Sequence, residues 1–418
     1  MSIVQSIPDE LVYSISKPPL DLVINRTSNS RGTGLIHSPT SNPILRFELT
    51  SQNWIDPSSV KLFANLFFNV PAGQNSYTVN GTYSGTEISV PSTMDLFSTM
   101  TISNSAGQII QSISDAHVVN RMLAITASNT YLDSVGSFSN ISLNPFQRRR
   151  SNGSAVEVQI EALQCLGFLK CNRFINPSSL GGLVFSFTLN PNSVLFTSIA
   201  DTDTPTLTIT DAILYWDECF LSQSYIQSFR KEYADGYQIK FPSYSVAQMV
   251  VPNGNNSSTS FNLNVSQAKA VLVALRPSTS ISVMDEPELA FISQGFKDYS
   301  FVLSGTRYGP IANYSRAFNE LLKVAYLQDS VHVSLPDYTQ FSTDYSRPAS
   351  STAKVNGLFV MSMDLEKFSS HTSSGVKIEG SSQLILNWTN LNNPSTGSVV
   401  ILHDVGMTVI NGRIQIEQ

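Results

Sequence analysis

Short segments in the first half of the chain recur, in the same order, in the second half. The five matched pairs are Phe47–Gln52 with Phe261–Gln267, Lys61–Leu66 with Lys269–Ala274, Asn120–Leu123 with Asn319–Leu322, Gly181–Leu189 with Gly357–Leu365, and Thr208–Ile213 with Ile401–Gly406. One short match of this kind arises by chance, but five in one order indicate a duplicated unit. We therefore predict that residues 40–216 and 237–418 share one fold and one strand order.

The stretch Thr206–Gly236 lies between the matched halves and changes its period along its length. Up to Trp216 it is rich in β-branched and aromatic residues, which is typical of a strand. Beyond that point apolar residues recur at every fourth position, the spacing of one helix face. These residues are Leu221, Tyr225, Phe229 and Tyr233. The stretch is predicted to be a strand followed by a connecting helix, or else an ordinary element of one large domain.

Charged residues mark the ends of this predicted helix. Asp217 and Glu218 are placed at its N-terminus, and Arg230 and Lys231 in its last turn, where each charge matches the helix dipole. Gly236 is predicted to stop the helix. We expect the apolar face to pack between the two halves and to fix their relative tilt.

Strands dominate the pattern on both sides of this stretch. The predicted strands of the first half are Ile44–Thr50, Leu62–Val70, Glu87–Val90, Met100–Ile102, Gln108–Ile113, Val156–Ala162, Leu183–Leu189 and Thr206–Trp216. Those of the second half are Phe261–Val265, Ala270–Leu275, Ser300–Leu303, Leu358–Leu365, Gln383–Trp388, Val399–Leu402 and Met407–Ile416. In the strand at 156–162 the odd-numbered residues Glu157, Gln159 and Glu161 are expected to face water.

Caps and turns are predicted from local chemistry. Ser114 is placed as the cap of a helix with an apolar face over residues 118–123, and Pro310 as the entry to a second helix. Turns are placed at Asp56-Pro57 and at Asn411-Gly412. The resulting fold class is all-β, with two consecutive eight-stranded antiparallel units and a few short helices in loops and at the junction.

The predicted domain boundaries follow from these patterns. Residues 1–38 show no sustained period and are broken by prolines and a polar stretch, so we predict an extended N-terminal arm. Residues 39–216 form the first β unit, 217–236 the connecting helix, and 237–418 the second unit. We expect removal of residues 1–35 to leave a folded protein with impaired assembly.

Composition narrows the function classes. With 13% charged and 41% hydrophobic residues the chain is a folded one. A net charge of −6 argues against a protein that wraps nucleic acid through its own surface. The basic run 148–150 is expected in a solvated loop, or alternatively in a contact with nucleic acid or a partner. We predict neither a signal peptide nor a membrane-spanning segment, and therefore synthesis inside a cell.

Candidate chemical residues form no recognisable constellation. Cys165, Cys171 and Cys219 are expected to be buried free thiols, and the five histidines are scattered singly along the chain. Three further groups could carry chemistry, but a structural role is the stronger prediction for each. They are a cation-binding turn at Asp201–Asp203, a carboxylate cluster at 285–288, and a sugar platform of Trp54, Trp216 and Trp388. We predict no catalytic, no cofactor-binding and no metal-binding residues, no cofactor, and no enzyme activity.

Several motifs of the second half form a recognisable series: the turn Ser304–Tyr308 before the helix Tyr314–Tyr326, the strands and turn Asn356–Leu365, Ser373–Gly380 and Gln383–Asn387, and the closing Val409–Ile416. They resemble motifs of the double jelly-roll major capsid proteins of the tectivirus, adenovirus and large-DNA-virus lineage. They cover residues from about 40 to the end. The chain has Ser304-Gly305 where the family more usually has Asn-Gly.

This resemblance implies a structural protein of the virion. Its implied partners are two further copies in a homotrimer, neighbouring capsomers, minor capsid or penton proteins, and an internal membrane or the packaged genome on the inner face. It implies no small-molecule substrate. A β-sandwich carbohydrate-binding or host-attachment protein is the alternative, and a glycoside-active β enzyme fits least because no carboxylate pair is apparent.

Overall fold

The structure is a computed structural model. It describes residues 25–69, 87–89, 92–125, 149–151, 155–171, 173–195, 206–252, 257–262, 265, 267–277, 296–326, 359–365, 376–377, 382–388, 395–410 and 413–417. Antiparallel β-strands make up most of these residues, and they form four large sheets, two on each side of a helix near the middle of the chain.

The first pair of sheets is built from residues 25–220. Its strands are β1 (Asn25–Gly32), β2 (Ile44–Leu49), β3 (Trp54–Asn69), β4 (Glu87–Ser89), β5 (Phe97–Ser103), β6 (Ile109–Ser114), β7 (Arg149–Ser151), β8 (Ala155–Ile160), β9 (Leu183–Leu189) and β10 (Thr206–Phe220). One sheet has the order β1-β10-β3-β8 and the other β2-β9-β5-β6, while β4 and β7 form a separate pair. We call this unit the first roll.

The second pair of sheets is built from residues 237–417. Its strands are β11 (Tyr237–Val251), β12 (Ser257–Phe261), β13 (Gln267–Ala268), β14 (Ala270–Pro277), β15 (Phe296–Leu303), β16 (Thr306–Ala312), β17 (Met361–Asp364), β18 (Val376–Lys377), β19 (Ser382–Trp388), β20 (Ser395–Ile410) and β21 (Arg413–Glu417). The sheet orders are β11-β20-β14-β17, extended by β21, and β12-β19-β15-β16. We call this unit the second roll.

The two rolls have the same strand order. When β4, β7, β13, β18 and β21 are set aside, eight strands remain in each roll. Numbered from one to eight along the chain, they form a 1-8-3-6 sheet and a 2-7-4-5 sheet in both rolls. This is the jelly-roll arrangement, in which consecutive strands lie in opposite sheets except for strands 4 and 5, which pair with each other in one sheet. The predicted all-β class with two consecutive rolls is confirmed, and so is the predicted common strand order.

Helices occupy equivalent places in the two rolls. A helix at Ala116–Ile125 (the first-roll helix) follows strand 5 of the first roll, and one at Tyr314–Tyr326 (the second-roll helix) follows strand 5 of the second. The helix at Gln223–Glu232 (the junction helix) connects the rolls. Shorter helical turns are Thr93–Asp95, Glu161–Cys165, Gly167–Lys170, Pro177–Leu180 and Asn192–Leu195.

The core of each roll lies between its two sheets. In β2, Leu45, Phe47 and Leu49 are buried and alternate with exposed residues, as expected for a strand with one face towards a core. Phe47 packs on Phe187 of β9, with ring centroids 6.2 Å apart. Each buried side chain of this size contributes about 1.5–3 kcal/mol to folding, so these alternating positions stabilise the sandwich.

One of the five predicted sequence matches pairs strands that are not equivalent. Gly181–Leu189 contains β9, which is strand 7 of its roll, whereas Gly357–Leu365 contains β17, which is strand 6. The equivalent of β9 is β19, which begins 199 residues later, at Ser382 compared with Leu183. The other matches fall on equivalent strands or on the two equivalent helices. Both β17 and β19 are short and rich in apolar residues, so local pattern alone did not separate them.

Two predictions on the first sheet are wrong. Asp56-Pro57 is not a turn but lies inside β3. The pairing of β3 with β10 is irregular there, because four residues of β3 (57–60) lie opposite the single residue Trp216 of β10. Proline cannot donate to a ladder, so this irregularity accommodates it. Glu161 does not face water. It begins a buried helical turn, and its carboxylate accepts hydrogen bonds from the side chains of Gln159 and Gln164.

The predicted helix entries are also corrected. Ser114 is the last residue of β6, and the first-roll helix begins at Ala116, so Asp115 separates them with a left-handed φ of 48°. Pro310 lies inside β16, and Asn313 caps the second-roll helix by accepting a hydrogen bond from the Arg316 amide at 3.1 Å. Asn is a favoured cap because its side-chain oxygen satisfies an otherwise unpaired amide. The predicted turn at 411–412 lies outside the described residues.

The N-terminal arm predicted for residues 1–38 differs in its second part. Residues 25–32 form β1, which pairs along its whole length with β10, from Asn25 opposite Phe220 to Gly32 opposite Ile213. All eight residues of β1 are exposed, so no apolar pattern marks the strand. It is held by backbone pairing and by polar contacts such as the Arg26–Asp56 ion pair at 3.1 Å.

Candidate functional site at the junction of the two rolls

The three cysteines lie in apolar surroundings and are free thiols, as predicted. Burial raises the pKa of Cys165 and Cys171 to about 12 and that of Cys219 to about 11. A thiol with such a pKa stays protonated near neutral pH and is a poor nucleophile or metal ligand. The cysteines therefore act as small apolar side chains in the core.

Histidines and acidic residues are also dispersed in the structure. His37, His117 and His403 are buried at separate places, and burial lowers the pKa of His403, whose Nε2 lies 3.0 Å from Ser245 Oγ. Among the described residues no group of three or more His, Cys, Asp or Glu could hold a metal ion. The candidates Asp201–Asp203, 285–288, His332, His371 and Arg148 lie outside the described residues.

The tryptophans do not form a sugar platform. Trp54 and Trp216 are buried, and Trp54 packs edge-to-face on Phe229 with ring centroids 4.9 Å apart. The structure places Trp388 in β19. The plainer prediction of buried strand aromatics is confirmed for Trp54 and Trp216.

The junction helix begins later than predicted. β10 continues through Asp217 and Glu218 to Phe220, and Ser222 caps the helix by accepting a hydrogen bond from the Tyr225 amide at 3.3 Å. Asp217 and Glu218 instead accept hydrogen bonds from β1, since Ser28 Oγ lies 2.8 Å from Asp217 Oδ1 and Asn29 Nδ2 lies 3.1 Å from Glu218 Oε1.

The C-terminal end of this helix was predicted better. Arg230 and Lys231 lie in its last turn as expected, and the helix ends at Glu232 with Tyr233 as the cap. Gly236 lies beyond the cap, with a φ of 108°. A Cβ there would meet the Val409 carbonyl oxygen at 2.7 Å, so this glycine permits close approach of the chain to β20.

The predicted apolar face of the junction helix forms an aromatic cluster. Tyr225 and Phe229 are buried together with Trp54, Phe174 and Cys219 of the first roll, and Leu221, Tyr233 and Tyr237 pack around them. Phe229 lies at its centre, with its ring 4.8 Å from that of Tyr233 and 5.5 Å from that of Tyr237. The helix therefore packs mainly on the first roll, and Tyr237, the first residue of β11, extends the cluster to the second.

A second contact, deeper between the rolls, is made by Gln111 of β6. Its side-chain amide donates to Ser243 Oγ at 2.9 Å and to the Pro242 carbonyl at 3.4 Å, both in β11. Its carbonyl oxygen accepts from the Phe168 amide at 3.0 Å. Gln111 is buried, and its removal would leave these partners without their bonds, at a cost of about 1–3 kcal/mol for each buried group.

Close packing accompanies this hydrogen-bonded contact. Phe168 meets Phe241 of β11 edge-to-face, with ring centroids 5.4 Å apart at 87°. A Cβ on the neighbouring Gly167 would lie 1.7 Å from the Pro242 carbonyl oxygen. Only glycine allows the two backbones to approach so closely. We call Gln111, Gly167, Phe168, Phe241 and Pro242, with Ser243, the inter-roll contact.

Outer polar bonds extend the inter-roll contact on both sides. Gln248 of β11 donates to Asp115 Oδ2 at 3.0 Å, and the Gln108 side chain donates to the Ile414 carbonyl of β21. Sequence patterns gave no sign of these partners, because the paired residues lie more than 100 positions apart. The whole arrangement fixes the two rolls to one another.

A cleft of about 390 Å³ opens beside the junction helix. Its polar lining includes Gln52, Asn53, Asn176, Ser178 and Gln223, and its apolar lining includes Phe220, Leu221 and Ile226. Phe220 is 41% exposed and lies opposite Asn25, the first described residue of β1. Within the described part of the chain, no helix is long and apolar enough to cross a membrane.

Solved structures with this architecture identify the fold. The Faustovirus major capsid protein aligns with a TM-score of 0.61 at 9% identity, covering 96% of this chain and 92% of that one. VP54 of PBCV-1 aligns with a TM-score of 0.58 at 10% identity, covering 95% and 97%. The chain has the double jelly-roll fold.

Further matches agree with this assignment. A chain of the Sputnik virophage aligns with a TM-score of 0.56 at 12% identity, covering all of this chain and 93% of that one. No protein-family model and no curated relative matches the sequence. The resemblance seen in the sequence motifs is thus confirmed for the fold, at a sequence identity of 9–12% to these structures.

Proposed function

We propose that this chain is the major capsid protein of an icosahedral virus. The observation that carries the proposal is the duplication, in which two jelly rolls of one strand order are held together in one chain by the inter-roll contact. Three such chains around a threefold axis bring six similar rolls into a ring, which gives a capsomer of pseudo-hexagonal outline. The Faustovirus major capsid protein, which shares the fold over most of both chains, supports the same role.

The proposed role is structural rather than catalytic. The described cysteines are buried and protonated, and the described histidines lie apart in the interior. A shell subunit needs a rigid body and defined surfaces, which the buried cores of both rolls and the inter-roll contact supply. We propose that the protein functions in the shell of the virion.

We propose the following division of the chain. Residues 25–220 form the first roll, 221–236 the connector, and 237–417 the second roll. β1 belongs to the first roll, so the proposed arm, which would contact neighbouring capsomers, is limited to residues 1–24. Neighbouring capsomers, minor capsid or penton proteins, and a membrane or genome on the inner face are the proposed partners.

The mass and outline of the purified protein test this proposal. Light scattering coupled to size exclusion is expected to give the mass of three chains, and negative-stain images a flat particle with six lobes. A monomer that stays monomeric at high protein concentration would contradict the proposal. Because the concentration dependence of an oligomer is itself informative, the mass is measured over a dilution series.

A carbohydrate-binding or host-attachment protein is the second candidate, and the cleft beside the junction helix favours it. Amide and hydroxyl side chains beside an exposed aromatic ring, as at Asn53, Ser178 and Phe220, are suited to binding sugar hydroxyls and the apolar face of a sugar ring. A glycan array distinguishes the candidates. Binding that is lost in Phe220→Ala, in a protein that remains monomeric, would favour this second function over the shell.

A further inference from the structure

One side chain attaches the first twenty described residues to the core of the first roll. Among residues 25–44, which comprise β1 and the turn that follows it, His37 is the only buried side chain, with 1% of its surface exposed. All eight side chains of β1 are exposed, and so are Leu35 and Ile36 next to His37. We call residues 33–43 the β1–β2 turn. Its attachment depends on a single buried group, and that group is titratable.

Backbone hydrogen bonds place His37 beside the core. The His37 amide donates to the Ile209 carbonyl at 2.9 Å, and the Ile209 amide donates to the His37 carbonyl at 2.8 Å. Residues directly opposite each other in an antiparallel pair direct their side chains to the same face. Ile209 belongs to the buried core, so the imidazole of His37 lies next to it on the core side of β10.

The remaining bonds of the β1–β2 turn are mostly within the turn itself. Ser38 and Asn42 exchange two backbone hydrogen bonds of 3.2 Å, and the Asn42 side chain donates to the Ile36 carbonyl at 3.1 Å. Towards β10, the Thr33 amide donates to the Ala212 carbonyl at 3.0 Å. If the His37 pair opened, the turn would keep its own bonds but would lose its attachment to the core.

The polar atoms of the imidazole ring are not satisfied. Neither Nδ1 nor Nε2 of His37 makes a hydrogen bond. Because a buried polar atom without a partner costs free energy, an aliphatic side chain of similar size would attach the turn more firmly at neutral pH. Stability alone therefore does not account for histidine at this position. What the imidazole adds is a nitrogen that binds a proton in mild acid.

Charged side chains near this end of β1 all face solvent. Arg31 of β1, Arg46 and Glu48 of β2, and Asp211 of β10 are exposed. Arg46 and Glu48 form an ion pair with each other at 2.8 Å. None of these strands therefore presents a carboxylate on the core side, where it could neutralise a protonated His37.

The pKa of His37 sets the direction of the pH effect. Burial lowers this pKa from 6.5, and the backbone of Asn42 and Ile44 opposes burial without cancelling it. When the turn opens, the ring returns to water and binds a proton more readily. The closed turn is therefore fully stable above pH 6.5. It loses stability as the pH falls below that value, until the folded-state pKa is reached.

We propose that His37 is an acid-sensitive latch whose protonation detaches the β1–β2 turn, and then β1, from β10. The latch lies at one end of β1, and Glu218, opposite Thr27, lies near the other. The carboxylate of Glu218 stays ionised in mild acid, because its pKa is lowered from 4.5. β1 therefore opens from the turn first. The inference is independent of the capsid proposal and concerns the fold of the first roll alone.

Amide hydrogen exchange of the purified full-length protein between pH 7.5 and 5 tests the latch. Each rate is divided by the intrinsic exchange rate at the same pH, because intrinsic exchange itself depends on pH. We expect the protection of the amides of His37, Ile209 and β1 to fall by up to about tenfold for each pH unit below 6.5. Residues 270–275 of β14 should stay protected. Unchanged protection of β1 down to pH 5 would overturn the proposal.

Two variants assign the effect to one histidine. His37→Leu removes the titrating group and keeps an apolar side chain at the core, so β1 should remain protected at pH 5. His403→Gln is the matched control. His403 is also buried with a lowered pKa, but it lies in the second roll beside Ser245 Oγ, at 3.0 Å, where glutamine can keep a hydrogen bond. Opening that persists in His37→Leu, or disappears in His403→Gln, would refute the latch.

A measurement on the wild type decides the question if His37→Leu does not fold. Deuterium exchange of the imidazole Cε1 hydrogen, followed by mass spectrometry over a pH series, gives the titration midpoint and the accessibility of an individual histidine. We expect His37 to titrate below pH 6.5 and to exchange slowly at pH 7.5. A midpoint at or above 6.5 would contradict the proposal, because acid would then not favour the open turn.

Discussion

The two rolls share a strand order but differ in how their first strands are used. β11 has fifteen residues, and buried side chains such as Ile239, Phe241 and Tyr244 lie along it. β1 has eight residues, all exposed and none of them apolar. The difference shows that the two rolls share their strand order, while the burial of equivalent strands differs with the surface that packs on each roll. β11 is covered by the first roll, whereas in the described part of the chain the side chains of β1 are exposed.

The third strands differ in the same sense. In β14, residues 270–275 are apolar and buried on both faces, whereas in β3 buried residues such as Leu62 and Leu66 alternate with more accessible ones such as Phe63. A strand with a continuous apolar run is covered on both sides, and an alternating one has a free face. The predictions below test whether the contact between the rolls causes this difference.

The largest effect is expected at Gly167. Gly167→Ala would place a Cβ at 1.7 Å from the Pro242 carbonyl oxygen, and no side-chain rotation relieves a clash with backbone. We expect a loss of about 3 kcal/mol or more, and two unfolding transitions in place of one in calorimetry. Gly32→Ala is the control, because the nearest atoms to its Cβ would lie at 3.8 Å. Equal melting of the two variants would show that the close approach does not hold the rolls.

A smaller effect is expected at Gln111. Gln111→Ala removes three hydrogen bonds and leaves the Phe168 amide and the Ser243 hydroxyl without this partner. We expect a loss of about 2–3 kcal/mol in chemical denaturation, with faster hydrogen exchange in β11. Ser112→Ala, on the same strand but exposed, should change stability by less than about 0.5 kcal/mol. If the two variants are equally stable, the inter-roll contact depends on packing alone.

The attachment of β1 should depend on pH through Glu218. Burial raises the pKa of this carboxyl, but hydrogen bonds from Asn53, Ser51, Asn29 and Trp216 outweigh burial, so the pKa is lowered. A lowered folded-state pKa means that the stabilisation is present above the unfolded value, about 4.5, and is lost as the pH falls through the folded value.

The free energy of unfolding of Glu218→Gln should therefore be about 1 kcal/mol lower than that of the wild type near pH 7. This difference should vanish in acid. Melting temperatures across an acidic pH series check this. Glu48→Gln, an exposed carboxylate paired with Arg46, is the control and should show little change. A pH-independent difference between Glu218→Gln and the wild type would contradict the role of the charge.

The smallest effect is expected from removing residues 1–24. This truncation leaves β1 and its pairing with β10 intact, so we expect an unchanged melting temperature and an impaired assembly of capsomers. Removal of residues 1–35, which the sequence pattern predicted would leave a folded protein with impaired assembly, takes away β1 and the Arg26–Asp56 ion pair and should destabilise the first roll. Identical stability of both truncations would show that β1 contributes nothing to the first roll.

Much of the fold could be predicted from alternation and repetition. Strands such as Leu183–Leu189 and Ala270–Leu275 were found because their burial follows directly from an apolar pattern. β1 was missed because all its side chains are exposed. Its polar residues are fixed by β10, and the bonds of Ser28 and Asn29 span 189 positions. No local pattern contains that information.

The junction was predicted only in part, because local spacing reveals a helix face but not contacts with distant segments. Tyr225 and Phe229 were placed on one face by their spacing, which the cluster confirms. Asp217 and Glu218 suggested a helix start, because adjacent acids are common there, but their partners on β1 keep them in a strand. Gln111 and Gly167 carried no signal, since their importance arises only when two distant segments meet.

The central claim is the proposal that the two duplicated rolls make this chain a capsid subunit, of which three copies form one capsomer. A cryo-EM map of the purified oligomer, at a resolution that separates strands, tests it most directly. The account predicts six rolls around a threefold axis, two from each chain, each with the strand order seen in the single chain. A map in which the chains do not form a ring of six rolls would contradict it.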